Sequence, residues 1–394
     1  MSNYTAQEKL DYLWEGLEGC HNGEFDMASL RDSEYGEEMD KWSMLRYQFE
    51  EDPMGPACLE YYKNKGVKKD AYHFEDMYKR YIVLTPEHIP ANAKLPVVFW
   101  NHGGGNPIET DEFSTYITDL VPEKKIILVM AQNTSWDSLE HVLDEVLENY
   151  PANPERVYAI GYSQGGQVIH SAILRAPRRF AAVAMGGIEP FAINDNLNLR
   201  YTIEEAERLM HTLVPVMQLV GSNEFLNFLP MNYWRPVRFM PGGHPLNLYT
   251  REDFNHANDP SNPKQGRPDK PLPQAGVDRN IWKLDRMNLR LRTLGVKPLD
   301  IEKCLSFRDL PDSDYHKWIG FYGEEEEVRN YHGRDHVIYK YYNAEGLNTY
   351  RFCSIENMLH WPFLDIGTLG WEFVSQFRRD TESGRIVGDQ YKAL

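Results

Sequence analysis

The 394-residue chain predicts an α/β fold: a mostly parallel central sheet covered by helices on both faces and interrupted by a large insertion. Three observations carry that expectation. Continuous apolar runs alternate with amphipathic stretches from about Tyr78 onward, as strands buried on both faces should. Two glycine-rich turns, Asn101 to Gly105 and Gly161 to Gly166, stand at the ends of such runs, where parallel sheets place their reactive loops. Finally, the alternation stops near residue 225 and resumes near 331.

The first part of the chain, 1–75, reads as a helical N-terminal extension. Gln7 to Gly16 and Glu37 to Tyr47 are short amphipathic patterns joined by acidic, glycine-bearing links. They are expected to pack against the rest of the chain or against a second subunit, which leaves a homo-oligomer open. The core's first part, 76–224, then predicts strands at Tyr81 to Leu84, Leu95 to Trp100 and Lys125 to Ala131, and a helix over Trp136 to Asn149. The strand Arg156 to Ile160, the helix Gln167 to Arg175, and strands Phe180 to Met185 and Leu213 to Val220 follow.

The insertion, 225–330, begins dense in proline and aromatics, including Phe228, Tyr233 and Trp234. Long irregular segments of this kind are typically lids or linkers, and a linker would gain nothing from aromatics. A helix near 279–294 presents Ile281, Leu284, Met287, Leu291 and Leu294 as a packing stripe, and Glu324 to Glu327 reads as a solvated face or helix start. The core's C-terminal part, 331–394, predicts strands at Val337 to Tyr342 and Asn348 to Cys353, then a last helix over Leu369 to Phe377.

Gly161-Tyr162-Ser163-Gln164-Gly165 joins a strand to a helix, the setting in which Gly-x-Ser-x-Gly holds a serine nucleophile on a sharp turn. A serine hydroxyl is a weak nucleophile until a base takes its proton, so Ser163 needs a histidine. His360, in the loop between the last predicted strand and helix, fits the chain order serine, acid, histidine. Of the thirteen histidines, His102 reads as a hydrogen-bonding loop residue and His170 as a packed one, while His244, His256, His316, His332 and His336 carry no specific signal.

His102-Gly103-Gly104-Gly105 follows an early strand, so backbone N–H groups of Gly103 and Gly104, with that of Gln164, are the expected oxyanion donors. The acid is expected at Glu224, shortly after the strand Leu213 to Val220, with Glu189 as the alternative. Phe228, Tyr233, Trp234 and Trp361 are candidate substrate-binding aromatics, or else the lid's own small core.

On these residues the chain resembles the α/β-hydrolase superfamily, and within it the esterases akin to polyhydroxybutyrate depolymerases and feruloyl esterases. The resemblance rests on Ser163 in Gly-x-Ser-x-Gly-Gly, the glycines after His102, Glu224 in Gly-x-x-acid and His360 in His-Trp-Pro. It covers about Tyr78 to Phe377. The branch often writes His-x-Trp-Pro where this chain has His360-Trp361-Pro362, and Asp where it has Glu224. The resemblance implies an α/β-hydrolase fold with a Ser-Glu-His triad acting through an acyl-enzyme.

Composition narrows the remaining possibilities. A net charge of −17 would repel nucleic acid and anionic membrane surfaces. No apolar run is long enough to span a bilayer and Met1 to Glu18 is charged, so a cytoplasmic protein is expected. The four cysteines, Cys20, Cys58, Cys304 and Cys353, are scattered, and neither a metal site nor a cofactor is expected. The expected function is therefore serine hydrolysis of a small-molecule carboxylic ester with a short-chain, aromatic or sugar-linked acyl group. The alternatives are a prolyl-oligopeptidase-like peptidase, an acyltransferase using the same triad, or a ligand-binding protein of hydrolase fold without turnover.

Overall fold

The computed structural model describes residues 5–19, 27–49, 54–76, 79–104, 108, 112, 115–132, 135–188, 211–222, 239–240, 244–245, 266–267, 270–271, 277–306, 321–356, 358, 360 and 364–393. Its centre is a ten-stranded sheet. The strands are β1 (Val67–Tyr72), β2 (Tyr81–Pro86), β3 (Leu95–Asn101), β4 (Ile127–Ala131), β5 (Ala152–Tyr162), β6 (Ala182–Gly186) and β7 (Val216–Gly221), then β8 (Glu325–Tyr331), β9 (Arg334–Tyr341) and β10 (Tyr350–Ile355). Their spatial order is β1-β2-β4-β3-β5-β6-β7-β10-β9-β8.

The inner block from β4 to β10 is parallel throughout, and antiparallel strands flank it on both sides. Burial explains the arrangement. Strands β2, β3, β4, β6, β7 and β10 are buried along their whole length, in keeping with their largely apolar sequences, although Thr85, Gln218, Arg351 and Ser354 are buried among them. β8 is alternately exposed because it forms the sheet's edge, so the glutamate run is a solvated strand and not a helix start.

Helices cover both faces. One core takes residues from α6 (Trp136–Asn149), α7 (Gln164–Arg175) and α8 (Val277–Thr293), with α9 (Ile301–Ser306) contributing Cys304 and Leu305. Leu284, Met287, Leu291 and Leu294 of the predicted stripe lie in that core. The opposite core is built on α5 (Leu120–Lys124) and α10 (Ile366–Val374). It also takes in the N-terminal helices α1 (Ala6–Gly19), α2 (Met27–Arg31), α3 (Glu34–Phe49) and α4 (Pro56–Asn64) through Leu10, Trp14, Leu30, Tyr35, Met39, Cys58 and Tyr62.

Among its described residues, the segment read as helical, 1–75, carries four helices and then a strand. Lys69 of β1 is buried with Glu112, its Nζ donating to both carboxylate oxygens at 2.8 and 2.9 Å. Tyr62 donates to the same carboxylate. With lysine at the middle of its inward face, between Val67 and Ala71, the strand has little apolar alternation to reveal it. Within 225–276 the described residues form two short ladders, Phe239–Met240 with His244–Pro245 and Gly266–Arg267 with Lys270–Pro271. After α10 a hairpin of β11 (Phe377–Arg379) and β12 (Ile386–Gly388) places Phe377 in a strand, not in the last helix.

Candidate active site

Parallel strands deliver their C-terminal ends to one edge of the sheet, and the candidate residues leave from that edge. In register, Asn101 at the end of β3 lies beside Gly161 of β5, Tyr162 beside Gly186 of β6, and Ile355 of β10 beside Gly221 of β7. The turn after β3, the serine turn after β5 and the histidine loop after β10 therefore start from the same end of the sheet.

Ser163 joins β5 to α7 with φ 52° and ψ −118°. That conformation is rare for a residue with a Cβ and costs on the order of 1–3 kcal/mol. The surrounding packing imposes it. Ser163 N–H donates to Gly186 O at 2.9 Å, and Ser163 O accepts the Gln167 N–H of the first helical turn at 3.1 Å. A Cβ at Gly165 would stand 2.0 Å from Asn101 O and 2.7 Å from His102 O, so only glycine lets α7 approach the end of β3 so closely.

The half-buried His360 lies with its Nε2 3.0 Å from Ser163 Oγ. Its ring is 5.1 Å from that of Tyr162, tilted by 38°. The geometry is that of a hydroxyl and a base poised for proton transfer. Tyr162 was not singled out by the sequence, because the residue before the motif serine is free to vary; only its place at the strand end marks it as lining.

The expected oxyanion donors are neighbours. A Cβ at Gly104 would meet Gln164 Oε1 at 3.0 Å and Gln164 Cβ at 3.7 Å, which sets the glycine turn against the start of α7. Gln164 is the first residue of that helix, so its N–H has no acceptor within the helix and stands where the helix dipole favours negative charge. Gly103, which precedes Gly104 in the chain, is buried. His102 is taken up in the loop itself, with Nδ1 2.7 Å from Gly103 O and Nε2 3.0 Å from Gln132 O.

Glu224, the alternative Glu189, and the aromatics Phe228, Tyr233, Trp234 and Trp361 lie outside the described residues. Among the described residues no group of three or more His, Cys, Asp or Glu side chains is placed to hold a metal ion, and no helix is long and apolar enough to cross a membrane. His170 is fully buried in α7, where burial and the nearby Arg290 push its pKa down to about 3, so it stays neutral.

No family model matches the chain. Among curated proteins it is similar to probable carboxylesterase 7 of Arabidopsis thaliana, 26% identical over 139 residues that cover 29% of this chain and 44% of that protein. It is also similar to pyrethroid hydrolase Ces2a of Mus musculus, 23% identical over 210 residues, covering 44% of this chain and 37% of that protein. The chain thus spans less than half the length of these relatives. Among solved structures, the S-formylglutathione hydrolase of Staphylococcus aureus overlays 41% of this chain and 79% of its own at 16% identity and a TM-score of 0.33. A feruloyl esterase module from Clostridium thermocellum overlays 41% and 69% at 15% identity and a TM-score of 0.34. By its own strand order and serine turn the chain has an α/β-hydrolase architecture, and in sequence it resembles the carboxylesterases.

Proposed function

We propose that this chain is a serine hydrolase that cleaves a carboxylic ester through an acyl-enzyme. The observation that carries the reading is the 3.0 Å contact between His360 Nε2 and Ser163 Oγ, with Ser163 held at a positive φ between β5 and α7. Ser163 Oγ attacks the ester carbonyl while His360 Nε2 takes its proton. The negative charge that develops on the carbonyl oxygen is met by N–H groups of Gly103, Gly104 and Gln164. The intermediate collapses as His360 gives the proton to the departing alcohol, which leaves the acyl group on Ser163. Water, deprotonated by His360, then releases the acid and restores the hydroxyl.

In this reading Glu224 accepts the second ring N–H of His360 and steadies the imidazolium. The insertion roofs the serine, with Phe228, Tyr233, Trp234 and Trp361 contacting a short-chain, aromatic or sugar-linked acyl ester. The likeness to carboxylesterases favours an ester over a peptide bond.

The test is the intact mass after treatment with a fluorophosphonate, which phosphonylates only an activated serine. A single adduct on the wild type, absent in Ser163→Ala and His360→Ala, is the expected result. A folded wild type that takes up no probe would sink the proposal.

A further inference from the structure

Residues 357–363 surround His360, and the chain on both sides of them is fastened to one structure: the tip of the β8–β9 hairpin. On the near side, Arg334 Nη1 donates to Glu356 O at 2.8 Å, Glu356 N–H donates to Asp335 O at 2.9 Å, and Asp335 N–H donates to Glu356 Oε2 at 3.3 Å. On the far side, Asp365 Oδ1 stands 3.0 Å from His332 Nε2, and Asp365 Oδ2 stands 3.4 Å from His336 Nε2. Helix α3 adds a third tie, because Leu364 N–H donates to the Tyr35 hydroxyl at 3.1 Å. Tyr116 N–H donates to Leu364 O at 3.2 Å, while its ring stacks on His332 at 5.6 Å between centroids.

Two features argue that this cluster does more than fill space. Asp365 is 2% exposed and occupies the N-cap position of α10, yet its carboxylate makes no cap hydrogen bond and faces the two imidazoles instead. An apolar side chain would pack there without the cost of burying a charge, so the ionic group is more readily explained by the specificity it confers. His332 itself has φ +49°, followed by Gly333 at φ +75°, in a two-residue hairpin turn. Such turns favour Asn-Gly, and a histidine held there carries backbone strain that the cluster offsets.

We propose that Asp365, His332 and Tyr35 are positioning residues that clamp the loop carrying the base, so that His360 Nε2 stays within hydrogen-bond reach of Ser163 Oγ. This rests on the serine-hydrolase reading. None of the three touches the reacting atoms; they act through the backbone on either side of His360. It also gives helix α3 a function, since Tyr35 belongs to it, as does Glu38, which accepts from the Tyr116 hydroxyl at 2.8 Å.

The test compares Asp365→Asn, Tyr35→Phe, His332→Ala and His332→Gln for melting temperature, fluorophosphonate labelling rate, and kcat and KM on p-nitrophenyl acetate. Because a 1 Å misplacement of a catalytic group costs on the order of 100-fold, kcat is expected to fall about 10- to 100-fold in Asp365→Asn and His332→Ala with KM little changed. His332→Gln, whose amide N–H can stand in for the Nε2–H, should restore most of it. Should Asp365→Asn fail to fold, Tyr35→Phe, which removes one hydroxyl, carries the test.

Folded Asp365→Asn and Tyr35→Phe with wild-type kcat would overturn the proposal, as would a His332→Ala defect that His332→Gln does not relieve. A wild type that takes no probe would instead fail the hydrolase reading, and the clamp is then judged by nuclear magnetic resonance of 15N-histidine-labelled protein. The His360 ring signal, assigned by its loss in His360→Ala, should be single and sharp in the wild type and broadened or split in Asp365→Asn; an unchanged signal would overturn the clamp.

Discussion

An alanine at position 165 would test whether the serine turn and the glycine turn hold each other in place. Its Cβ would sit 2.0 Å from Asn101 O, whereas ordinary contact begins at 3.4 Å, so α7 and the end of β3 must part by the difference, about 1.4 Å. The obstacle is backbone, which cannot swing aside as a side-chain tip can. Overpacking of this kind costs about 1–3 kcal/mol. Because alanine is intrinsically the better helix former by about 1 kcal/mol, a net loss of stability cannot be blamed on propensity.

The larger effect should be on reactivity, since a shift above 1 Å between Ser163 and the Gly103–Gly104 segment would cost on the order of 100-fold. Fluorophosphonate labelling rates, read by intact mass beside a urea unfolding curve, measure both. Gly66→Ala is the control: at φ +69° with nothing within 4 Å of an added Cβ, it should lose about 1 kcal/mol from the backbone alone and keep its labelling rate. A Gly165→Ala protein that labels at the wild-type rate would refute the argument that this close approach sets the site.

Other substitutions probe the frame around the site. Lys69→Met strands the Glu112 carboxylate, whose side chain is 1% exposed, and should cost about 3–5 kcal/mol in urea unfolding. The double variant Lys69→Met with Glu112→Leu should recover most of that loss, and failure to do so would mean the ion pair itself is the stabilising element. His170 titrates near 3 in the fold and near 6.5 when unfolded, so the unfolded chain binds more protons between those values. Stability should therefore fall as pH drops from 6.5 toward 3, by at most about 1.4 kcal/mol per pH unit from this group, and His170→Gln should flatten that slope.

What the sequence discloses and what it hides follow from where each signal resides. Ser163, the glycines after His102 and the central strands are legible because both a motif and a buried apolar run are local properties, read within a dozen residues. His360 is read from chain order and from its place between the last predicted strand and helix, and the structure sets its Nε2 3.0 Å from Ser163 Oγ. Strand β1 is invisible because its inward Lys69 is satisfied by Glu112, a residue far away in sequence whose pairing no periodicity records. The acidic run of β8 looks like a helix start because an edge strand facing solvent has no apolar face to display. His332 and His336 carry no signal for the same reason: their meaning depends on Asp365, which arrives only through the fold. His332-Gly333 between two strand-like runs is a local mark of the hairpin turn, though not of the partner it meets.

The hydrogen bond from Leu364 to Tyr35 spans 329 positions of the chain. A contact of that separation is slow to form, because the intervening chain must first be ordered before the closure is rewarded. Helix α3 is synthesised well before the segment it grips. If the grip is what keeps His360 in place, a growing chain that already displays Ser163 on its turn still lacks a seated base, and reactivity switches on only when α3 meets the segment that leads into α10.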